Sequence, residues 1–369
     1  MGKIELDHTG SGSGVTISSD GTDLLLDGTA IGGGGTALEL YAENPSSPSA
    51  PSATGTNAVA IGNGAAASAF ETISIGRDSD ATSANNIALG RLAQSTGTNG
   101  ALALGFYASA SGERSISIGS GTSAFSSVSA GLGSVALGTS RASGTDSFAA
   151  AIANNTSSYG ATGANSVAMG PTAKASSSGA VSLGGISGAS SLASNTLAVS
   201  IGWATASGSG AVAIGSNSQA TATQTNSVAI SGNSTATYST SIGKSSDNSN
   251  SGASGSGAIG LSGGLAQGQD SFAALLDARS VAANSVAIGS RARANQIGKY
   301  VFANGRFAAA GDAQTGTFVL RSDTTDTTPE SLTTNNSTAG NANQVILPNN
   351  SAYFFSGTII AREQASSGT

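Results

Sequence analysis

The sequence contains no cysteine, one histidine, one tryptophan and two methionines, and each shortage removes a class of chemistry. Without cysteine, disulfides, thiolate catalysis and zinc–thiolate centres are excluded. The single imidazole, His8, lies in a polar N-terminal stretch and has no second histidine with which to build a triad or metal site, so it reads as a solvated turn residue. Charged residues are 9% of the chain, against roughly 25% in an ordinary soluble domain, and aromatics are 5%. No stretch approaches the roughly 18 apolar residues of a membrane helix. At the start, Glu5 and Asp7 stand where a secretory signal needs an apolar run, and Leu6 stands where a myristoylation signal needs Ser or Thr.

What is abundant is small. Glycine alone fills 53 of 369 positions, and the apolar residues are largely alanine, so a conventional core is poorly supplied. Disorder of the usual kind goes with high net charge and low hydrophobicity, whereas this chain carries only −6 and is 38% hydrophobic. The whole excess of negative charge lies in residues 1–43, where seven acids face Lys3 alone. No basic surface for nucleic acid follows.

A search for internal periods makes the chain legible. One motif recurs: aliphatic, small, aliphatic, glycine. It appears as Val59, Ile61 and Gly62, then as Ile73, Ile75 and Gly76, then as Ile87, Leu89 and Gly90, about 14 residues apart. Later copies include Val212, Ile214 and Gly215, and Val286, Ile288 and Gly289, with degenerate copies ending at Ser231, Gly243 and Gly260. Aliphatics two apart share one face of a strand, and the glycine permits the positive φ of a turn. A second short, alanine-rich stretch completes each unit. Two short strands and two turns describe one coil of an all-β parallel solenoid, stacked on its neighbours through the aliphatic pair, which is the expected core. At roughly 4.8 Å per coil, about 17 coils would give a rod on the order of 80 Å long. So thin a rod has little core of its own, and threefold lateral association would bury a second face. Phe148 and Phe272 occupy the aliphatic slot and read as core substitutes.

The expected organisation is an N-terminal β region over 1–40, a linker over 41–56 carrying Pro45, Pro48 and Pro51, the coiled repeats over 57–297, and a C-terminal antiparallel β region over 298–369 that stops incomplete. Strands are expected there at Thr317 to Arg321, Gln344 to Leu347 and Ala352 to Arg362.

The stretches Asn57–Gly62, Asn165–Gly170 and Asn284–Gly289 closely resemble the YadA-like head repeat of trimeric autotransporter adhesins. That resemblance implies a left-handed parallel β-roll and a homotrimer. The flanks differ from such adhesins: neither an export segment, a neck, a coiled-coil stalk nor an anchor is recognised. The stretches Lys3–Asp7, Gly14–Gly21 and Gln344–Tyr353 instead look like fibre proteins of marine tailed phages. The implied function is a virion fibre on tail or capsid, docked to other virion proteins through residues 1–56, with the C-terminal region distal and in contact with a host glycan or protein. The alternative is the head of a bacterial cell-surface adhesin.

Enzymatic constellations are sparse, and neither cofactor nor metal is expected. Gly131 to Ala136 fits a dinucleotide fingerprint by spacing alone, because Val135 begins a repeat rather than a helix. A polysaccharide-cleaving fibre would need paired carboxylates; the nearest are Asp78 with Asp80 and Asp270 with Asp277, which read as solvated loop charges. Calcium-binding rolls need an aspartate-bearing nonapeptide, which the run Gly32 to Gly35 does not open. Residues available for binding are the aromatics outside the aliphatic slots, Phe106, Tyr107, Phe125, Tyr159, Trp203 and Tyr238. The basic residues Arg291, Arg293, Lys299 and Arg306 are expected to pair across chains or to bind an anionic glycan.

Overall fold

Alternation at a period of two, punctuated by glycine, gives short strands, and β-strand is the only regular structure among the described residues. The computed structural model describes residues 4–6, 15–19, 24–26, 29–31, 49–150, 159–186, 189–243, 252–347, 349 and 351–361. His8, Pro45 and Pro48 lie outside them. The chain divides into two units, residues 1–197 and 198–369.

In the first unit, Ile4–Leu6, Val15–Ser19, Leu24–Leu26 and Thr29–Ile31 pair antiparallel in chain order. The rest of this unit is a parallel β-solenoid. Each coil has a three-residue long strand, such as Val59–Ile61, and a two-residue short strand, such as Ala66–Ala67. Equivalent strands stack without slippage, so that Val59, Ile73, Ile87, Leu102 and Ile116 form one ladder. Ser52, Ala66, Asp80, Gln94 and Ser109 form another. The second unit repeats the pattern, with Val199, Val212, Val228, Thr240, Ile259, Phe272, Val286 and Tyr300 in register.

The interior of the coil corrects the sequence-based expectation. Its filling is the small residue between the aliphatics: Ala60, Ala88, Ala103, Ala213 and Ala287 are 0–4% exposed. Val59, Ile61, Ile73, Ile75, Ile87, Leu89, Val212, Ile214, Val286 and Ile288 lie on the outer face of the long strands, half-buried or exposed. The reason is volume. Two strands of one coil approach so closely that Ala, Ser or Gly fills the slot between them until the last coil, where Val301 takes it, and alternation then forces the larger neighbours outward. Phe148 and Phe272 sit in the same outward ladder.

Most interior hydroxyls are paired inside the coil, as burial of a polar group demands; Ser241 Oγ is a buried exception. Ser129 meets Ser134 at 2.6 Å, Ser234 meets Ser239 at 2.6 Å, and Ser280 meets Ser285 at 2.7 Å. Asn86, fully buried, spends its whole amide: Nδ2 donates to the carbonyls of Ser95 and Gly97, and Oδ1 accepts from the Ala101 N–H. It thereby secures a corner that is one residue longer than its neighbours.

Other boundaries also shift. Ser52–Ala53 already pairs in parallel with Ala66–Ala67, so the coils begin inside the expected linker. Tyr300–Asn304 still pairs in parallel with Val286–Ser290, so they extend past residue 297. The antiparallel strand Gln314–Thr317 then covers Tyr300–Asn304. In the degenerate copy at Gly260 the long strand is Ile259–Leu261, which puts Gly260 in the interior slot and Ser262, at φ 49°, in the turn. Gly215 makes no turn; it lies within the continuous strand Val212–Ala222. The strands expected at 317–321, 344–347 and 352–362 are absent among the described residues, apart from Thr317 and one bridge between Arg321 and Thr333. Alternation supplies a strand face, but a strand also needs a paired edge, and these segments have none in a single chain.

Candidate functional site

Three kinds of outer surface follow from this coil. The long-strand face is an apolar ladder. The short-strand face is mainly polar, with Asp80, Gln94, Arg141 and Lys174 pointing out. The third surface is the pair of corners joining the strands, and the two corners behave differently.

The corner leading from a short strand to the next long strand is constant apart from the Asn86-bracketed one, Ser95 to Leu102, which is one residue longer. Six residues separate Ala67 from Ile73, Ala81 from Ile87 and Ala142 from Phe148 in the first unit, and Ala206 from Val212 and Ala266 from Phe272 in the second. The residue before the buried pre-strand position adopts positive φ, as at Asn85 (61°), Asn165 (54°) and Asn284 (53°), where a short polar side chain is best tolerated. The corner leading from a long strand to the next short strand varies. It takes five residues from Ile61 to Ala66, four from Leu137 to Arg141, and ten from Ile118 to Val128. Here Gly62, Gly76, Gly90 and Gly289 have φ between 102° and 132°. A Cβ on Gly76 would lie 2.5 Å from the Gly90 carbonyl oxygen of the next coil.

The candidate binding residues distribute over both corners. Phe106 and Tyr107 occupy the variable corner of one coil, their ring centroids 4.5 Å apart, with the Arg91 guanidinium 4.7 Å from the Phe106 centroid. Phe125 lies on the inserted loop of the next coil. Trp203 is half-buried at an irregularity where the register jumps between Gly202 and Ala204. Tyr238 is 64% exposed on a constant corner, at φ 57°. Tyr159 lies next to the short strand Gly160–Ala161.

At the end of the second unit's coils, Arg293 is held by its own chain. One guanidinium nitrogen lies 2.9 Å from Asp277 Oδ2 and another donates to the Asp277 carbonyl, while Arg279 Nε lies 3.2 Å from Asp277 Oδ1. Arg279 and Arg293 stack one coil apart, and like charges on neighbouring strands repel, so Asp277 neutralises the pair. Burial pushes the Asp277 carboxyl up, but the hydrogen bonds and charges of Arg293 and Arg279 together outweigh it and hold it below the usual carboxylate range. Arg291 occupies the variable corner at φ 62°, and Arg306 is exposed. Burial lowers the Lys299 ammonium, which lies 5.3 Å from the Phe318 ring centroid. Asp312 is lowered chiefly by the N–H of Ala309, against some burial, and further by those of Phe307 and Ala308, which fasten a surface turn.

The carboxylate pairs do not assemble as acid and base. Asp270 stands on a constant corner at φ 50° and Asp277 on a variable corner, at opposite ends of one coil. Asp78 pairs with Arg77 at 3.5 Å on the exposed surface, and burial raises Asp80. No cluster of three metal-ligating side chains occurs among the described residues. No helix there is long and apolar enough to cross a membrane.

The Asp277 clamp and the Asn86 bracket were not singled out from sequence. Period arithmetic holds the signal for the first: adding 14 to Arg279 gives Arg293, so both must stack.

Residues 53–79, 99–122, 161–185, 193–218, 206–230 and 281–307 match the family model described as YadA head domain repeat (2 copies). Each match spans about two coils of the solenoid. The chain therefore carries YadA head domain repeats that form a parallel β-solenoid, a structural repeat of adhesin heads. Comparison with curated proteins gives no match.

Proposed function

We propose that this chain is one protomer of a surface-displayed homotrimeric adhesion rod, non-enzymatic in its repeats, built like the head of a trimeric adhesin. One observation carries the reading: the outward aliphatic ladder. Ile61, Ile75, Leu89, Leu104, Ile118 and Leu137 stack in register on six successive coils, and Ile75, Leu104 and Ile118 among them are 36–39% exposed in a single chain. A contiguous apolar stripe on an otherwise polar solenoid marks a protein interface. A second and third copy, related by a threefold axis along the stack, would present the same stripe to one another. The coil interiors, filled by Ala and Ser, leave little other apolar area with which to stabilise the fold. The polar short-strand face and the corners would then face solvent and receptor.

The head repeat favours display on a bacterial cell surface. A second reading, a bacteriophage virion fibre, is favoured by the flanking stretches Gly14–Gly21 and Gln344–Tyr353, which look like those of tailed-phage fibres. In the fibre reading, residues 1–56 face the particle and the C-terminal region is distal, with a host glycan or protein as the contact. Immunogold labelling with antibody to residues 57–297 separates the carriers: label on cell envelopes supports the adhesin, and label on tailed particles supports the fibre. For the fibre, deleting residues 1–56 should leave a trimeric rod that no longer decorates particles; a truncated rod that still assembles onto virions would reverse the polarity.

A further inference from the structure

Resting on the adhesive reading, we propose that the variable corner of the first unit at Arg91, Phe106 and Tyr107, together with the loop carrying Phe125, binds a saccharide that bears a carboxylate. Four observations converge on it.

The first is the asymmetry of the corners. Where six residues recur at one corner, steric packing has fixed the length. Where length runs from four to ten within the same unit, the corner is free of that constraint and can carry recognition. The second is composition. Successive coils place Arg77 and Asp78, then Arg91 and Leu92, then Phe106 and Tyr107 at this corner, stacked by hydrogen bonds from Leu92 N–H to the Arg77 carbonyl (2.9 Å) and from Tyr107 N–H to the Arg91 carbonyl (3.2 Å). Aromatic faces beside a guanidinium suit a sugar, whose C–H face stacks on a ring while a carboxylate takes the guanidinium in a forked pair. Asp78 is engaged by Arg77, whereas Arg91 meets no carboxylate within salt-bridge distance among the described residues.

The third observation is strain. Tyr107 holds φ 59° at a position filled by Gly64 three coils earlier, with Asp78 (55°) and Leu92 (57°) between them. A bulky aromatic there costs on the order of 1 kcal/mol, and nothing in the coil interior requires it, since Tyr107 points outward. The fourth is the loop. Residues 120–127 form the first insertion of the stack, and it folds directly against the aromatic corner: the Gly121 N–H donates to the Phe106 carbonyl at 3.0 Å. Thr122 and Phe125 exchange backbone hydrogen bonds of 3.0 and 3.2 Å, closing a tight tip. Gly121 is demanded there, because a Cβ would overlap the Phe125 carbonyl. The tip leaves Phe125 45% exposed, in the same run of variable corners one coil on from the two aromatics.

The test uses the full chain with oligogalacturonate as the carboxylated probe and maltohexaose as the neutral one, read by saturation-transfer NMR and titration calorimetry. The expected result is binding of oligogalacturonate alone, weakened at least tenfold in Arg91→Gln and in Phe106→Ala, and unchanged in Tyr238→Ala on the constant corner. Circular dichroism and sedimentation of each variant show that coil and assembly are intact. Equal response to the neutral probe, absence of binding to oligogalacturonate, or full binding by Arg91→Gln overturns the proposal. Sedimentation reads the trimer separately, so failure of the saccharide site leaves the assembly reading to its own result.

Discussion

Replacing Ala103 by leucine separates a coil filled by small residues from one filled by the aliphatic pairs. Ala103 is fully buried in a cluster with Ala88, Ala101, Ala108 and Ala110, all 0–1% exposed. Its register neighbours in the coils on either side are Ala88 and Ser117. Three added carbons have no gap to enter and cannot turn outward, because Leu102 and Leu104 hold the outer face. Overpacking costs about 1–3 kcal/mol, and a slot bounded by backbone on both sides belongs at the upper end. For a unit of this size about 3 kcal/mol lowers the melting temperature by about 6–12 °C. Ala103→Ser is the matched control. Ser117 fills the equivalent slot and donates to the Ser127 carbonyl at 2.8 Å, and the equivalent acceptor for residue 103 is the Ala108 carbonyl. The serine variant should therefore melt within about 2 °C of wild type, since a satisfied buried hydroxyl is nearly neutral. Calorimetric melts of the three proteins decide the matter. If the leucine variant melts with wild type, the interior is not close-packed as described and the reasoning fails.

Gly76→Ala should destabilise by about 1–3 kcal/mol, because φ 132° disfavours any Cβ and the Gly90 oxygen lies in its place; an unchanged denaturation midpoint would count against the turn geometry. Asp277→Asn should cost about 1–2 kcal/mol at neutral pH through loss of the Arg293 and Arg279 pairs. Because the folded carboxyl titrates below its unfolded value, that stabilisation is present above the ordinary carboxylate range and fades as pH falls through the folded value. Wild type and variant should thus differ at pH 7 and converge once the pH has fallen below the folded value; a gap that persists in acid would assign the effect to packing.

The repeat, the strand spacing and the glycine turn could be read from residues alone, because period and φ are local properties. Which face of the strand points inward could not. Alternation says that Val59 and Ile61 share a face opposite Ala60, but the choice between them depends on the gap between two strands of one coil. That distance is a tertiary property. The same holds for Gly260, where Ile259 and Leu261 capture the outer slots and push the glycine inside. The C-terminal segments show the complementary limit: Tyr353, Phe355 and Ile359 fall on one face of a period-two pattern, yet remain 49–89% exposed without a paired edge. At the candidate site, Phe106 and Tyr107 were visible as aromatics outside the aliphatic slots. Their company with Arg91 and the Phe125 loop depended on which corner each occupies.

The central claim is that the aliphatic ladder joins chains rather than filling them, and the mass of the particle in solution tests it most directly. Sedimentation equilibrium of the wild-type protein should give three chains of 35.2 kDa each. Leu104→Asp, which sets an unpaired carboxylate worth several kcal/mol of desolvation in each seam, should shift the equilibrium toward single chains that keep the β-sheet circular dichroism. A wild-type protein that stays a stable single chain at high concentration, or a Leu104→Asp variant that unfolds without first dissociating, would contradict the account.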